Sequence, residues 1–209
     1  MILRYIIAAV VAYLLGSISF GIIISRLEHK DDIRKHGSGN AGMTNALRVY
    51  GKKTAAFVFV GDFLKGTLSV YLCSLITGSI VGAYISALFV ILGHLFPVYF
   101  GFKGGKGVAT AAGAILALDP IVLLMLMVPF VLILFTTYYM SLASITVAML
   151  FPIFTAIRQF VWLKSPTPTC WLTTIFAVVI GGLVIYMHRA NIKRLCNGTE
   201  NRLKSKKQT

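Results

Sequence analysis

The chain has 209 residues, of which 57% are hydrophobic and only 12% charged, with a mean hydropathy of +0.84. A water-soluble globule carries about 25% charged residues and could not hide this much apolar surface, and the same hydrophobicity excludes intrinsic disorder. Twenty Lys and Arg against six Asp and Glu give a net charge of +14, which in a membrane chain points first to cytoplasmic loops and then to an anionic substrate or lipid.

Apolar runs fall at 2–25, 54–77, 79–100, 108–118, 120–140, 141–163 and 170–187. A crossing takes about 20 residues, so six of these are long enough. The run from Val108 to Leu118 would make only about 17 Å of helix against a hydrocarbon core of about 30 Å. The first run carries a single basic residue, Arg4, and no small-residue cleavage site. It reads as a retained span rather than a signal peptide.

Charge decides whether the short run counts. Seven basic residues (Arg26, Lys30, Arg34, Lys35, Arg48, Lys52, Lys53) fall between the first two runs. Lys103 and Lys106 follow the third run, and seven more follow His188 (Arg189, Lys193, Arg194, Arg202, Lys204, Lys206, Lys207). Placing all three clusters in the cytoplasm requires an even number of crossings between them, which holds only if Val108–Leu118 crosses too. The sequence therefore predicts an all-α integral membrane protein with seven transmembrane helices, its N-terminus outside and its C-terminus cytoplasmic. Only Arg4, Arg158 and Lys164 then lie outside. Residues 1–209 read as a single polytopic membrane domain, without internal repeat or soluble insertion, ending in a disordered basic tail from Lys204 to Thr209. Cys73, Cys170 and Cys196 are scattered singly, without CxxC or metal-ligand spacing, and read as structural.

Three cytoplasmic loops have unusual composition. The first runs from His36 to Arg48 and contains a formal GxGxxG from Gly37 to Gly42. With no strand before it, a dinucleotide fold is ruled out. Its glycines can still turn backbone amides toward an anion, with Ser38, Asn40, Thr44 and Asn45 adding polar groups and Arg48 able to grip a phosphate bidentately. The bland alternative is a flexible connector. The second runs from Gly93 through Phe102-Lys103-Gly104-Gly105-Lys106-Gly107. Gly107 stands where a P-loop needs Ser or Thr, which argues against a nucleoside triphosphatase. Two lysines among glycines nevertheless make a phosphate pocket. His94, late in its span, is either a packed helix residue or a participant in chemistry. The third runs from His188 to Glu200. At helical spacing His188, Asn191 and Arg194 share a face, unless the segment is only a basic stop. Within the membrane, Asp62 and Lys65 form a mutual ion pair or line a substrate site. Ser144 either reaches the cytoplasmic site or bonds back to its own helix.

These three loops together resemble the motifs of the bacterial PlsY-type glycerol-3-phosphate acyltransferases. The stretches are Ser38-Gly39-Asn40-Ala41-Gly42-Met43-Thr44-Asn45 through Arg48, Gly93-His94 with Phe102 to Gly107, and His188-Arg189-Ala190-Asn191-Ile192 with Arg194 and Gly198-Thr199-Glu200. Ala41 and Met43 stand where the family often has Pro and Ala. The resemblance implies an enzyme of the bacterial inner membrane, with its active site at the cytoplasmic face. It would transfer a fatty acyl group from acyl phosphate to the 1-hydroxyl of glycerol 3-phosphate, giving lysophosphatidic acid and phosphate. It implies no cofactor and no metal, and as partners the two substrates and membrane lipids, with no nucleic acid. The His-x4-Asp pattern of other glycerolipid acyltransferases is absent, since none of His29, His36, His94 and His188 has Asp five positions on.

Acyl phosphate is already activated, so the enzyme has to hold two anionic groups close and stabilise developing charge. Lys106 and Arg48 are assigned to phosphate clamping. Following the family's motifs, Ser38, Lys106, Ser144, His188 and Asn191 are the catalytic set. Gly39, Asn40, Thr44, Asn45, Arg48, Lys103, Gly104, Gly105 and Arg194 are the substrate-binding set. The runner-up is an organophosphate transporter, weakened by the lack of an inverted repeat. An anionic-lipid scaffold would need the basic surface but not three glycine-lined loops.

Overall fold

The computed structural model describes residues 2–163 and 168–203. Lys164 and the proposed basic tail, Lys204 to Thr209, lie outside the described residues. The described residues form ten α-helices and no strand. They divide into two compact units, 1–120 and 121–209.

The first unit begins with α1 (Ile2–Gly16) and α2 (Phe20–His29). The apolar run at 2–25 thus holds a break that hydropathy does not reveal. At Ser17-Ile18-Ser19 the helix stops and restarts, which leaves the Ile18 carbonyl available to a partner elsewhere. The first glycine-rich loop follows and leads into α3 (Met43–Val49), α4 (Lys52–Thr77) and α5 (Ile80–Leu95). The second loop leads into α6 (Val108–Leu118), whose eleven residues match the short run read from the sequence. Helix α4 packs against α1, α5 and α6, and α1 packs along α5. The α4–α6 crossing is close because Gly66 faces the Thr110 carbonyl and Gly113 faces the Phe63 carbonyl, with no room for a Cβ at either place. Small residues let membrane helices approach in this way when lipid supplies no hydrophobic drive.

The second unit holds α7 (Pro120–Thr137), α8 (Met140–Ala156), α9 (Pro168–Met187) and α10 (Arg189–Cys196). A π-helical segment, Ile157–Trp162, continues α8, and α8 packs against α9. Among the described residues, six helical stretches are long and apolar enough to cross a membrane: Ile2–His29, Lys52–Thr77, Ile80–Phe100, Pro120–Thr137, Met140–Trp162 and Pro168–Met187. Their exposed faces are apolar, as with Leu64, Leu68, Tyr71, Leu72 and Leu75 on α4 and Trp171, Ile175, Val178 and Val179 on α9. In water such surfaces would aggregate; in lipid they are the expected outer face.

Candidate active site

The first loop is a packed structure, not a flexible connector. Ile33, Ala41 and Ala46 are fully buried in a cluster with Ile22, Ala55 and Val58. The side chain of Asn45, 1% exposed, organises the backbone around it. Its Nδ2 donates to the carbonyls of Asn40 (2.9 Å), His36 (3.0 Å) and Ile33 (3.3 Å), and its Oδ1 accepts from the Ser38 amide (2.9 Å). Asn45 therefore holds the loop that presents Ser38. Asn40 folds back to accept from the Gly42 amide (3.0 Å). At the outer edge His29 stacks on Tyr50 with ring centroids 3.9 Å apart, and its Nε2 lies 3.2 Å from Thr54 Oγ1. This fastens α2 to the start of α4. His36 pairs with Asp31.

Asp32 is the loop's second organiser. Its carboxylate caps the short 3-10 turn Ile33–Lys35 by accepting from the Arg34 amide (3.1 Å). It also accepts from Arg34 Nε (3.0 Å), Arg34 Nη2 (2.8 Å) and Arg26 Nη2 (3.0 Å). The Arg34 guanidinium beside it holds the Asp32 carboxyl far below the usual carboxylate range, and Asp32 in turn keeps Arg34 charged.

The second loop is laid over the end of α5. The amides of Gly104 and Gly105 donate to the carbonyls of Leu95 and His94, each at 3.2 Å, and the Phe102 amide donates to Pro97 O (3.0 Å). Tyr13 Oη donates to Phe96 O (2.7 Å) and Ser17 Oγ accepts from the Val98 amide (3.3 Å), so α1 braces the same turn. Gly105 rests directly on the His94 imidazole, and any side chain there would strike the ring. Gly107, at φ +83°, starts α6. The second loop thus ends at the N-terminus of an eleven-residue helix, where amides and the helix dipole favour an anion next to Lys106.

Beneath this loop lies a buried charged group. Lys65 Nζ is 2.7 Å from Asp62 Oδ1 and donates to the Ile18 carbonyl (2.7 Å), and His94 Nδ1 is 3.4 Å from Asp62 Oδ1. All three side chains are at most 4% exposed. The ion-pair reading of Asp62 and Lys65 is the one the structure bears out. The pair ties α4 to the α1–α2 break and to the histidine under Gly105.

In the second unit, Glu200 gathers the third motif. Its Oε1 accepts from Asn191 Nδ2 (2.7 Å) and Ser141 Oγ (2.9 Å), and its Oε2 accepts from Arg194 Nε (2.7 Å). Burial works against the charge on Glu200, but the bonds from Asn191, Arg194 and Ser141 outweigh it and hold the carboxyl below its ordinary range. His188 Nδ1 lies 2.7 Å from Val184 O, and Ser144 Oγ donates to Met140 O (2.8 Å) on its own helix. Tyr138, at φ +60°, turns α7 into α8 and accepts from the Leu203 amide (2.9 Å).

Of the residues singled out from sequence, Ser38, Gly39, Asn40, Thr44, Asn45, Arg48, Lys103, Gly104, Gly105 and Lys106 lie in the first unit. Ser144, His188, Asn191 and Arg194 lie in the second. Sequence reasoning gave Asp32, Arg34 and Glu200 no role. A signal was present: Asp32 is one of six acids in the chain, set in a basic loop, and Glu200 is the sole acid after Asp119.

The features together define an all-helical integral membrane protein with glycine-rich loops that carry lysines and arginines. Comparison with known proteins narrows this class. Residues 6–198 match the family model described as glycerol-3-phosphate acyltransferase. The chain is 44% identical to the glycerol-3-phosphate acyltransferase of Clostridioides difficile, covering 99% of each chain. It is 43% identical to that of Syntrophomonas wolfei, covering 94% of this chain and 96% of the relative. Among solved structures it resembles PlsY, an integral membrane glycerol 3-phosphate acyltransferase, in its glycerol 3-phosphate form. The TM-score is 0.84 at 42% identity, with 96% of both chains covered. The lysophosphatidic acid form of PlsY gives 0.80 at 40% identity, covering 96% of this chain and 95% of that one. The chain belongs to the glycerol-3-phosphate acyltransferase family.

Proposed function

We propose that this acyltransferase takes its fatty acyl group from acyl phosphate and places it on the 1-hydroxyl of glycerol 3-phosphate, at the cytoplasmic face of a bacterial inner membrane. The observation that carries the reading is the full-length likeness to an acyltransferase described in glycerol 3-phosphate and lysophosphatidic acid forms. In this reading Val108–Leu118 crosses with the six longer helices, making seven, with the N-terminus outside and the C-terminus inside. Residues 1–209 then serve as one membrane domain.

The chemistry needs no strong protein base. The acceptor's hydroxyl oxygen bonds to the carbonyl carbon, the bond from that carbon to the phosphate oxygen breaks, and inorganic phosphate leaves with the hydroxyl proton. What the protein supplies is proximity and positive charge. Lys106, at the start of α6, and Arg48, on α3, clamp phosphate. Ser38 in the first unit, and Ser144, His188 and Asn191 in the second, are the remaining catalytic assignments. Gly39, Asn40, Thr44, Lys103, Gly104, Gly105 and Arg194 are assigned to substrate binding, and Asn45 acts by holding the first loop. Neither a metal nor a cofactor enters these steps.

Phosphate release by the purified protein, from palmitoyl phosphate with and without glycerol 3-phosphate, tests the reading. Acceptor-dependent release with lysophosphatidic acid formed is the expected result. A folded protein that releases no phosphate would overturn the donor assignment.

A further inference from the structure

The two loops to which the first unit's phosphate-binding residues are assigned meet where Phe100 packs against the first loop's buried cluster, and one side chain, Arg34, hydrogen-bonds across them. Arg34 directs Nε and Nη2 at the Asp32 carboxylate, within its own turn. Its Nη1 leaves that turn and donates to two carbonyls of the second loop, Phe100 O at 2.7 Å and Lys103 O at 3.1 Å, 66 and 69 residues away in sequence. Those two carbonyls bracket Gly101 and Phe102, which both stand in the left-handed region at φ +68° and +59°. For a bulky residue such as Phe102 that conformation persists only when its surroundings impose it. The grip therefore falls on the part of the second loop whose shape is least favoured locally, just before Lys103 and four residues from Lys106.

The other end of the connection is equally fixed. Asp32 is held by the Arg34 amide and by Arg26, and Ile33 between them is fully buried. Arg34 is thus a strut with an anchored base and a fork in the second loop. On the reading proposed above, Ser38 and Arg48 meet substrate from one loop and Lys103 and Lys106 from the other. We propose that Arg34 is a positioning residue, which sets the separation of the two loops through its bonds to Phe100 O and Lys103 O, and that Asp32 orients it. Arg34 acts through the loops and is not assigned a contact with substrate. A lysine cannot replace it, because a compact ammonium cannot pair a carboxylate bidentately and reach two carbonyls at once.

The test uses the full-length protein in detergent, comparing Arg34→Ala, Arg34→Lys and Asp32→Asn with wild type. Asp32→Asn keeps the cap on the 3-10 turn but removes the charge that aims the guanidinium. All three should raise the KM for glycerol 3-phosphate about tenfold or more, the size expected from losing one or two charge-assisted hydrogen bonds. Melting temperature and kcat should change far less. The double variant Asp32→Asn/Arg34→Ala should be no worse than Arg34→Ala, since both act through one contact. Wild-type KM in a folded Arg34→Ala protein, or full rescue by Arg34→Lys, would overturn the proposal. Binding of glycerol 3-phosphate, followed by ligand-induced thermal stabilisation, separates this inference from the donor assignment. If wild type binds glycerol 3-phosphate but does not consume palmitoyl phosphate, only the donor fails, and weaker binding by the Arg34 variants still supports the strut. Equal binding by wild type and variants refutes it.

Discussion

Replacing Asn45 by Ala distinguishes a side chain that holds the first loop from one that touches substrate. The amide makes four contacts of 2.9–3.3 Å, three donated by a single Nδ2 with two hydrogens, so one of them is shared. About three net hydrogen bonds are therefore lost, each worth about 0.5–1.5 kcal/mol, and buried carbonyls and an amide are left without that partner. The expected loss is about 2–4 kcal/mol, or roughly 5–10 °C in the unfolding midpoint for a chain of this size. A thiol-reactive dye can follow it, because Cys73 and Cys170 are buried and become reactive on unfolding, with Cys196 changed to Ser to remove the exposed background. Trypsin, cutting at Arg34 and Lys35, should cleave the variant faster if the loop has opened. An unchanged midpoint and cleavage rate, together with a raised KM for glycerol 3-phosphate, would refute the scaffold role and return Asn45 to direct substrate contact.

Lys106→Ala should abolish turnover while leaving the thermal midpoint near wild type; near-normal activity would remove Lys106 from the clamp. Gly113→Leu should destabilise the protein by about 1–3 kcal/mol or more, because the new side chain meets the Phe63 carbonyl across the α4–α6 crossing; a wild-type midpoint would count against that close approach. Glu200 has a folded pKa below its ordinary 4.5, so its contribution is complete above about that pH and is lost as pH falls toward the folded value. Acid should therefore destabilise wild type more than Glu200→Gln in that range, and parallel acid profiles would refute the coupling. In oriented vesicles Cys196 should react with a membrane-impermeant thiol reagent only from the cytoplasmic side; labelling from outside would reverse the proposed orientation.

The parts of the fold that hydropathy encodes were legible. The short helix falls at Val108–Leu118 as read, and the other spans agree within a few residues. The break at Ser17-Ile18-Ser19 was not legible, because the Ile18 carbonyl it frees is satisfied by a lysine on another helix, a contact that hydropathy does not encode. The three motifs stood out by composition, since glycine density and isolated cations are local signals. The organisers of those motifs did not. Arg34 looks like one more basic loop residue until its carbonyl partners, more than sixty positions away, are known. Asn45 sits among polar neighbours that look alike in sequence, and only its burial distinguishes it.

Helix α6 is less than half the length of its neighbour α4, eleven residues against twenty-six, yet the two are locked together at Gly66 and Gly113. At 1.5 Å per residue α6 covers about 17 Å, roughly half the hydrocarbon thickness. In the seven-crossing arrangement proposed above, its Lys106 end then stands well below the headgroups, or the leaflet thins to meet it. In the first case the charged end of the helix lies at the depth of acyl chains; in the second the headgroups come down to it. An amphiphile with a reactive head and a long tail could be consumed there without its tail leaving the bilayer, and only the small polar acceptor would have to travel inward.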